Sequence, residues 1–150
     1  GLWTYSRALD GSRPYRVEVP LTEANSESRA ALDGSLAGLS PATATSTYAS
    51  VQAVYDSAVQ NWSGDGTNSV LLVTDGPNDD TAISAASFLQ SIATASDPAR
   101  PVRIDVVSLT QNSDIDTLRS LADQTGGELV EVSSSDPSLT ATLDRLSSDR

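Results

Sequence analysis

The feature that most constrains this chain is the short apolar run Val70-Leu71-Leu72-Val73, which ends abruptly in Thr74-Asp75-Gly76-Pro77. Four large apolar residues without alternation predict a strand buried on both faces, and such strands occur in parallel sheets covered by helices. The run therefore predicts a central parallel strand that opens into a loop at its carboxyl end. A second strand is expected at Val102 to Leu109 and a short third at Leu129 to Val132. The segments between them carry helical spacing, and strand alternating with helix predicts right-handed βαβ units.

The helices are read from their apolar stripes. Leu32, Leu36 and Leu39 follow the cap candidates Asn25 to Ser28, and predict an amphipathic helix interrupted at Ser40-Pro41. Tyr48, Val51, Tyr55, Ala58 and Trp62 recur at intervals of three and four, from a start near Ser46 to the stop at Gly64-Asp65-Gly66. Asn78, Asp79 and Asp80 are expected to cap a third helix whose inward residues are Ile83, Ala86, Leu89 and Ala93. Ser113 with Asp116 resembles a capping box for a fourth, carrying Ile115, Leu118 and Leu121 and stopped by Gly126-Gly127. Asp136-Pro137 opens a fifth, with Leu139, Leu143 and Leu146 on its apolar face. Ahead of all these, Leu2 to Tyr5 and Tyr15 to Val19 read as two strands of a hairpin turned at Asp10-Gly11-Ser12, with Pro20 marking an edge or an end. The expected fold is α/β: a Rossmann-like, doubly wound, mostly parallel sheet with helices on both faces and one antiparallel edge strand, in a single domain of 150 residues.

Composition narrows the function. The chain holds 20 acidic residues against 9 basic ones, all of the latter arginine, for a net charge of -11. That field repels nucleic acid and anionic membranes and suits a cation or a basic partner. It carries no His, Cys or Lys, which removes the commonest general base, the thiol nucleophile and the Schiff-base former. No Gly-x-Ser-x-Gly occurs, and Gly64-Asp-Gly66 precedes its strand, whereas a phosphate-cradling loop must follow one. Asp75 and Asp79 could pair as carboxylates, but nothing in the sequence sets their separation. The expectation is a binding domain and not an enzyme. No apolar run approaches the ~20 residues that cross a bilayer.

In an open parallel sheet, ligands bind beyond the carboxyl ends of the strands, so Ser6, Asp75 and Ser108 to Gln111 are the positions to inspect. Asp75 directly follows a buried strand and would be pinned by it; it could equally make an Asx-turn with Gly76-Pro77. The segment Thr43 to Tyr48 places several hydroxyls at a helix start, where capping is the plain role. Hydroxyl and carboxylate oxygens are also the donors that Mg²⁺ accepts, so Thr45 and Asp75 form half of a plausible metal site.

Leu2-Trp-Thr-Tyr-Ser6, the Pro41 to Tyr48 loop, Val70 to Gly76 ending in Thr-Asp-Gly, and Leu118 to Gly127 reading Leu-x-x-Leu-Ala-x-x-Thr-Gly-Gly resemble, in order and spacing, the von Willebrand factor type A domain of bacteria. The resemblance implies a metal-ion-dependent adhesion site built from three loops. Thr45 matches the family threonine, since Thr-Ser-Thr-Tyr stands where bacterial members have Thr-Gly-Leu-Tyr, and Asp75 matches the family aspartate. The family's Asp-x-Ser-x-Ser motif and first strand have no counterpart here, so the resemblance implies an incomplete site holding Mg²⁺ or Mn²⁺ weakly or not at all. It also implies a gap between the second strand and the Val70 strand, which an upstream strand of the parent protein would fill and which in this sequence is met by direct pairing, by another copy or by local disorder. Metal-dependent binding of a protein partner through an acidic side chain is the expected function; a structural or assembly module with a vestigial metal site is the alternative. Self-association through open strand edges and an extracytoplasmic or cell-envelope setting in a bacterium belong to the same expectation.

Overall fold

The computed structural model describes residues 1–40 and 44–148. Two sheets form. β1 (Leu2–Asp10) and β2 (Arg13–Val19) make an antiparallel hairpin; β3 (Asn68–Thr74), β4 (Val102–Ser108) and β5 (Leu129–Glu131) make a parallel sheet in the order β3-β4-β5. Among the described residues the helices are α1 (Ser26–Ala37), α2 (Thr47–Gln60), α3 (Ala85–Ala95), α4 (Ile115–Thr125) and α5 (Leu139–Ser148). The α/β class and the parallel core therefore hold, but the hairpin does not join the parallel sheet as an edge; it stands apart.

β4 is the strand that the sheet buries. Val102, Ile104, Asp105, Val106, Val107 and Ser108 are all buried, because neighbours cover both edges and helices cover both faces. Ile104 and Val106 pack with Tyr48, Val51, Tyr55, Phe88, Ile92, Leu118 and Leu121 on one face. Val107 packs with Val132 and Leu146 on the other, with Leu71, Leu139 and Leu143 around them. Tyr48 and Phe88 stack with centroids 4.7 Å apart, tying α2 to α3. Asp105 is tolerated inside because Arg103 lies 2.9 Å away and the Glu128 N–H donates to it at 3.0 Å.

β3, expected at the centre, is an edge. It pairs with β4 from Asn68 opposite Val102 to Thr74 opposite Ser108, and among the described residues no strand pairs with its other side. Its Val73 is 40% exposed. Three other expectations need correction. α1 buries no residue, and Leu36 and Leu39 are exposed; the helix is held by the Asn25 capping box, not by an inward leucine stripe. α3 starts at Ala85 with Ser84 as its cap, and its buried residues are Phe88 and Ile92; of the expected stripe, Ile83 and Leu89 pack against the core while Ala86 and Ala93 are exposed. Likewise α4 is preceded by Asp114, with no side-chain cap bond, rather than by a Ser113–Asp116 box. Asp79 and Asp80, expected to cap α3, are engaged across the loops described next.

Candidate functional site at the carboxyl ends of the strands

The loops after β3, before α2 and before α4 meet above the carboxyl end of the parallel sheet. Thr45 begins the meeting. Its N–H donates to Asp79 Oδ2 at 2.9 Å, the Asp79 N–H donates back to the Thr45 carbonyl at 3.0 Å, and the Thr45 hydroxyl donates to the Pro77 carbonyl. Ser46 donates to Asp80 Oδ2 at 2.9 Å, and the Tyr48 N–H donates to Asn78 Oδ1 at 3.3 Å. Asn78, Asp79 and Asp80 thus receive the start of α2 instead of capping α3. The Asn78 N–H in turn donates to Asp114 Oδ2 at 2.8 Å, which draws the α4 loop into the same cluster.

Asp75 sits one residue beyond β3, exposed. The backbone around it is pinned. Its carbonyl accepts from the Thr110 hydroxyl at 2.6 Å, and the next carbonyl, of Gly76, accepts from Asn112 Nδ2 at 2.7 Å and from the Thr74 hydroxyl at 3.0 Å. The structure therefore brings Thr45 and Asp75 onto two loops that are bonded to each other through Pro77, two residues past Asp75. Thr43 and Pro41, also part of the expected hydroxyl-rich loop, lie outside the described residues.

The residues that sequence spacing did not single out are Tyr5 and Thr47. Thr47 is 2% exposed, and its hydroxyl lacks a hydrogen-bond partner of good geometry. The Tyr5 phenol reaches the same place from β1 and donates to the Val73 carbonyl at 3.3 Å. Burial raises its pKa above the ordinary tyrosine value, the Asp75 carboxylate adds to that rise, and the Thr74 and Thr47 hydroxyls beside it act in the opposite sense. A tyrosine in a hairpin strand gives no sequence signal of this kind, since only the tertiary fold carries it to β3. Ser6, expected near the site, is buried within β1 and donates to the Ala44 carbonyl at 2.8 Å. The Ala82 N–H and the Ser46 hydroxyl, with Arg7 nearby, hold Asp80 below the ordinary carboxylate range. Ser108, Leu109, Thr110 and Gln111 line a shallow cleft with Glu131 and Val132 on the far side of the β4 carboxyl end.

The donor set is hard oxygen throughout, the kind that Mg²⁺ or Mn²⁺ accepts. In number it is sparse: among the described residues no three carboxylates converge as an ion-binding group. Thr45 spends its hydroxyl hydrogen on Pro77, which leaves its lone pairs for a cation, and Asp75 presents an exposed carboxylate.

Fold and site together define a small α/β domain with a polar, acidic loop cluster at the carboxyl end of its parallel strands. In sequence it is similar to two uncharacterized proteins of Mycobacterium tuberculosis, one from strain CDC 1551 / Oshkosh and one from strain ATCC 25618 / H37Rv, each 29% identical over 133 residues. The match covers 85% of this chain and 19% of each relative, so the chain spans about a fifth of the length of the curated relatives it matches. No protein-family model matches the chain. No solved structure matches it either.

Proposed function

We propose that this is a protein-binding domain of the von Willebrand factor A kind, whose adhesion site is divalent-metal-dependent and is present here only in part. The observation that carries the reading is the bonding of the Thr45 loop to the Asp75 loop through Thr45, Pro77 and Asp79 at the carboxyl end of a parallel sheet. Two of the three loops such a site needs are thereby held in register. Asp75 and Thr45 would hold Mg²⁺ or Mn²⁺, with waters filling the remaining positions. A bound ion would supply a coordination position for an acidic side chain of a protein partner. The surrounding loops, including Asn78, Asp79, Thr110 and Asn112, would select that partner. No protein nucleophile takes part, and the role is recognition and not catalysis. The mycobacterial relatives suit a bacterial setting; an extracytoplasmic place is part of the proposal.

The alternative is a structural or assembly module with a vestigial site. It is favoured by one observation, that among the described residues no three carboxylates converge as an ion-binding group. Calorimetric titration with Mg²⁺ and Mn²⁺ separates the two. We expect weak or no heat with this chain, binding with a longer version that carries an Asp-x-Ser-x-Ser strand, and loss of that binding in Asp75→Ala. Absence of binding in the longer version would replace adhesion by the scaffold reading.

A further inference from the structure

The amino ends of the parallel strands lie at the opposite pole from the loop cluster, and the fold leaves a cavity of about 360 Å³ there. α3 and α4 both run back to that pole. Their last residues form two of the walls, Ala93 and Ser96 on one side and Gln124 and Thr125 on the other. Pro98 and Pro101, in the loop that leads into β4, form a third wall, and the buried Tyr55 and Val102 form the floor. The loop is tied down: the Arg100 N–H donates to the Asp97 carbonyl at 2.9 Å, and Trp62 Nε1 donates to the Pro101 carbonyl at 3.2 Å. A cavity of this size, with fixed apolar walls and a few polar groups, has the form of a small-molecule site.

Its polar groups are nearly all acceptors. The Tyr55 and Ser96 hydroxyls bond to each other at 2.8 Å, which uses one of their two hydrogens and leaves one. Thr125 Oγ1 donates within α4 and accepts from the Ile104 N–H, so it has no hydrogen to offer the cavity. Gln124 gives Nε2 to the Leu89 carbonyl at 3.4 Å and keeps Oε1. Asp97 accepts from the Ala99 N–H and from Arg100 Nε, both at 2.9 Å, and a carboxylate has lone pairs for further donors. The carbonyls that end α3 and α4 add to the set, since the last carbonyls of a helix have no partner within it. Helix carboxyl ends carry partial negative charge, and neither helix has a basic residue in its last turn to meet it. Arg100 pairs with Asp97 from outside the lining, with its own side chain half exposed.

We propose that this cavity binds a primary alkylammonium ion. A compact charge carrying three N–H donors and no acceptor answers a site made of acceptors. Its alkyl stem answers Pro98, Pro101 and Val102, and the net charge of -11 draws cations toward the molecule. An anion would face the same acceptors and two negative helix ends, and a neutral alcohol, with one hydrogen to give, would leave most of the acceptors unmet. A free amine and the lysine side chain of a partner share this chemistry, and the test separates them. The cavity requires no metal and lies at the other end of the strands from Thr45 and Asp75, so the proposal stands apart from the adhesion reading.

The test titrates isotope-labelled protein with n-butylammonium chloride in EDTA at constant ionic strength and follows the amide resonances. Saturable shifts are expected at Ala93, Ser96, Asp97, Val102, Gln124 and Thr125, and n-butanol should bind roughly tenfold more weakly. Ala93→Phe, at an exposed helix position, fills the cavity without altering charge and should abolish binding, with the amide spectrum elsewhere showing that the fold is kept. Arg100→Gln removes the competing cation and should tighten binding about threefold. N-acetyl-lysine N-methylamide identifies the source: affinity equal to that of butylammonium assigns the cavity to a partner's lysine, and affinity lower by roughly tenfold assigns it to a free amine. Equal binding of n-butanol would overturn the proposal, as would shifts spread over the acidic surface in place of these residues. So would binding undiminished by Ala93→Phe.

Discussion

Gly127 follows the end of α4, its N–H donating to the Ala122 carbonyl at 2.9 Å, while the chain turns directly over β4. A Cβ there would lie 1.9 Å from the Ile104 carbonyl oxygen and 2.5 Å from its carbon, both backbone atoms that cannot rotate away. Gly126, by contrast, has open space around it and a φ of +73°, the left-handed C-cap conformation. The two glycines predict different costs. Gly127→Ala should destabilise by about 3 kcal/mol, lowering Tm by roughly 10 °C, because the α4–β5 connection must move off the sheet. Gly126→Ala should cost about 1 kcal/mol through backbone strain alone. Thermal unfolding of both variants checks the order; equal losses would show that conformation, not contact, sets the requirement for glycine. The Gly-Gly pair was readable as a helix stop, but which of the two is packed against Ile104 was not.

At the scale of elements, α1 and β3 show how an apolar pattern can mislead. α1 keeps its helical form through local bonds: the Ser28 N–H donates to Asn25 Oδ1 at 2.9 Å and the Asn25 N–H donates back to Ser28 Oγ at 2.9 Å. With no buried residue it adds little to the core, so Asn25→Ala should remove about 1 kcal/mol from the helix itself. We expect faster amide exchange across Ser26–Ala37 with the main thermal transition unchanged; a matching fall in global Tm would show that α1 is coupled to the core after all. β3 errs the other way, since its apolar run promised two neighbours and has one. α3 differs from expectation by a shift in register. Asn78, Asp79 and Asp80 bond across to Tyr48, Thr45 and Ser46, so the helix starts later and turns Phe88 and Ile92 inward.

For the whole molecule, acid should be destabilising in spite of the excess of negative charge. Asp80, Asp97, Glu128 and Asp136 are all held below their ordinary values. The causes are the Ala82 N–H for Asp80, Arg100 for Asp97, Arg145 for Glu128 and the Ser138 N–H for Asp136. A carboxylate with a depressed folded pKa contributes stability that is present above its unfolded pKa and lost as pH falls through the folded one. The loss therefore begins near pH 4, where the unfolded carboxylates start to take protons. Tm should be flat from neutral pH down to about 5 and fall below about 4. A Tm that rises on acidification would mean that relief of charge repulsion outweighs these bonds.

Local pattern was enough for the α/β class, the hairpin, the stripes of α2, α4 and α5, and the strands β4 and β5. Each of those depends on periodicity or on a turn residue acting over a few positions. Thr45 and Asp75 could be named as oxygen donors from their places beside a helix start and a strand end. What only the tertiary structure decided was which elements meet. The separation of hairpin from parallel sheet, the edge position of β3, the arrival of Tyr5 beside Asp75, and the bonding of Asp79 to Thr45 all join residues more than thirty positions apart. An apolar run states that burial is favourable but not which surface will provide it, because the hydrophobic effect has no direction. The loop carboxylates had cap positions nearby, and at the α2 start the Thr45 N–H took Asp79 and the Ser46 hydroxyl took Asp80, once packing of α2 on the sheet had brought those donors within reach.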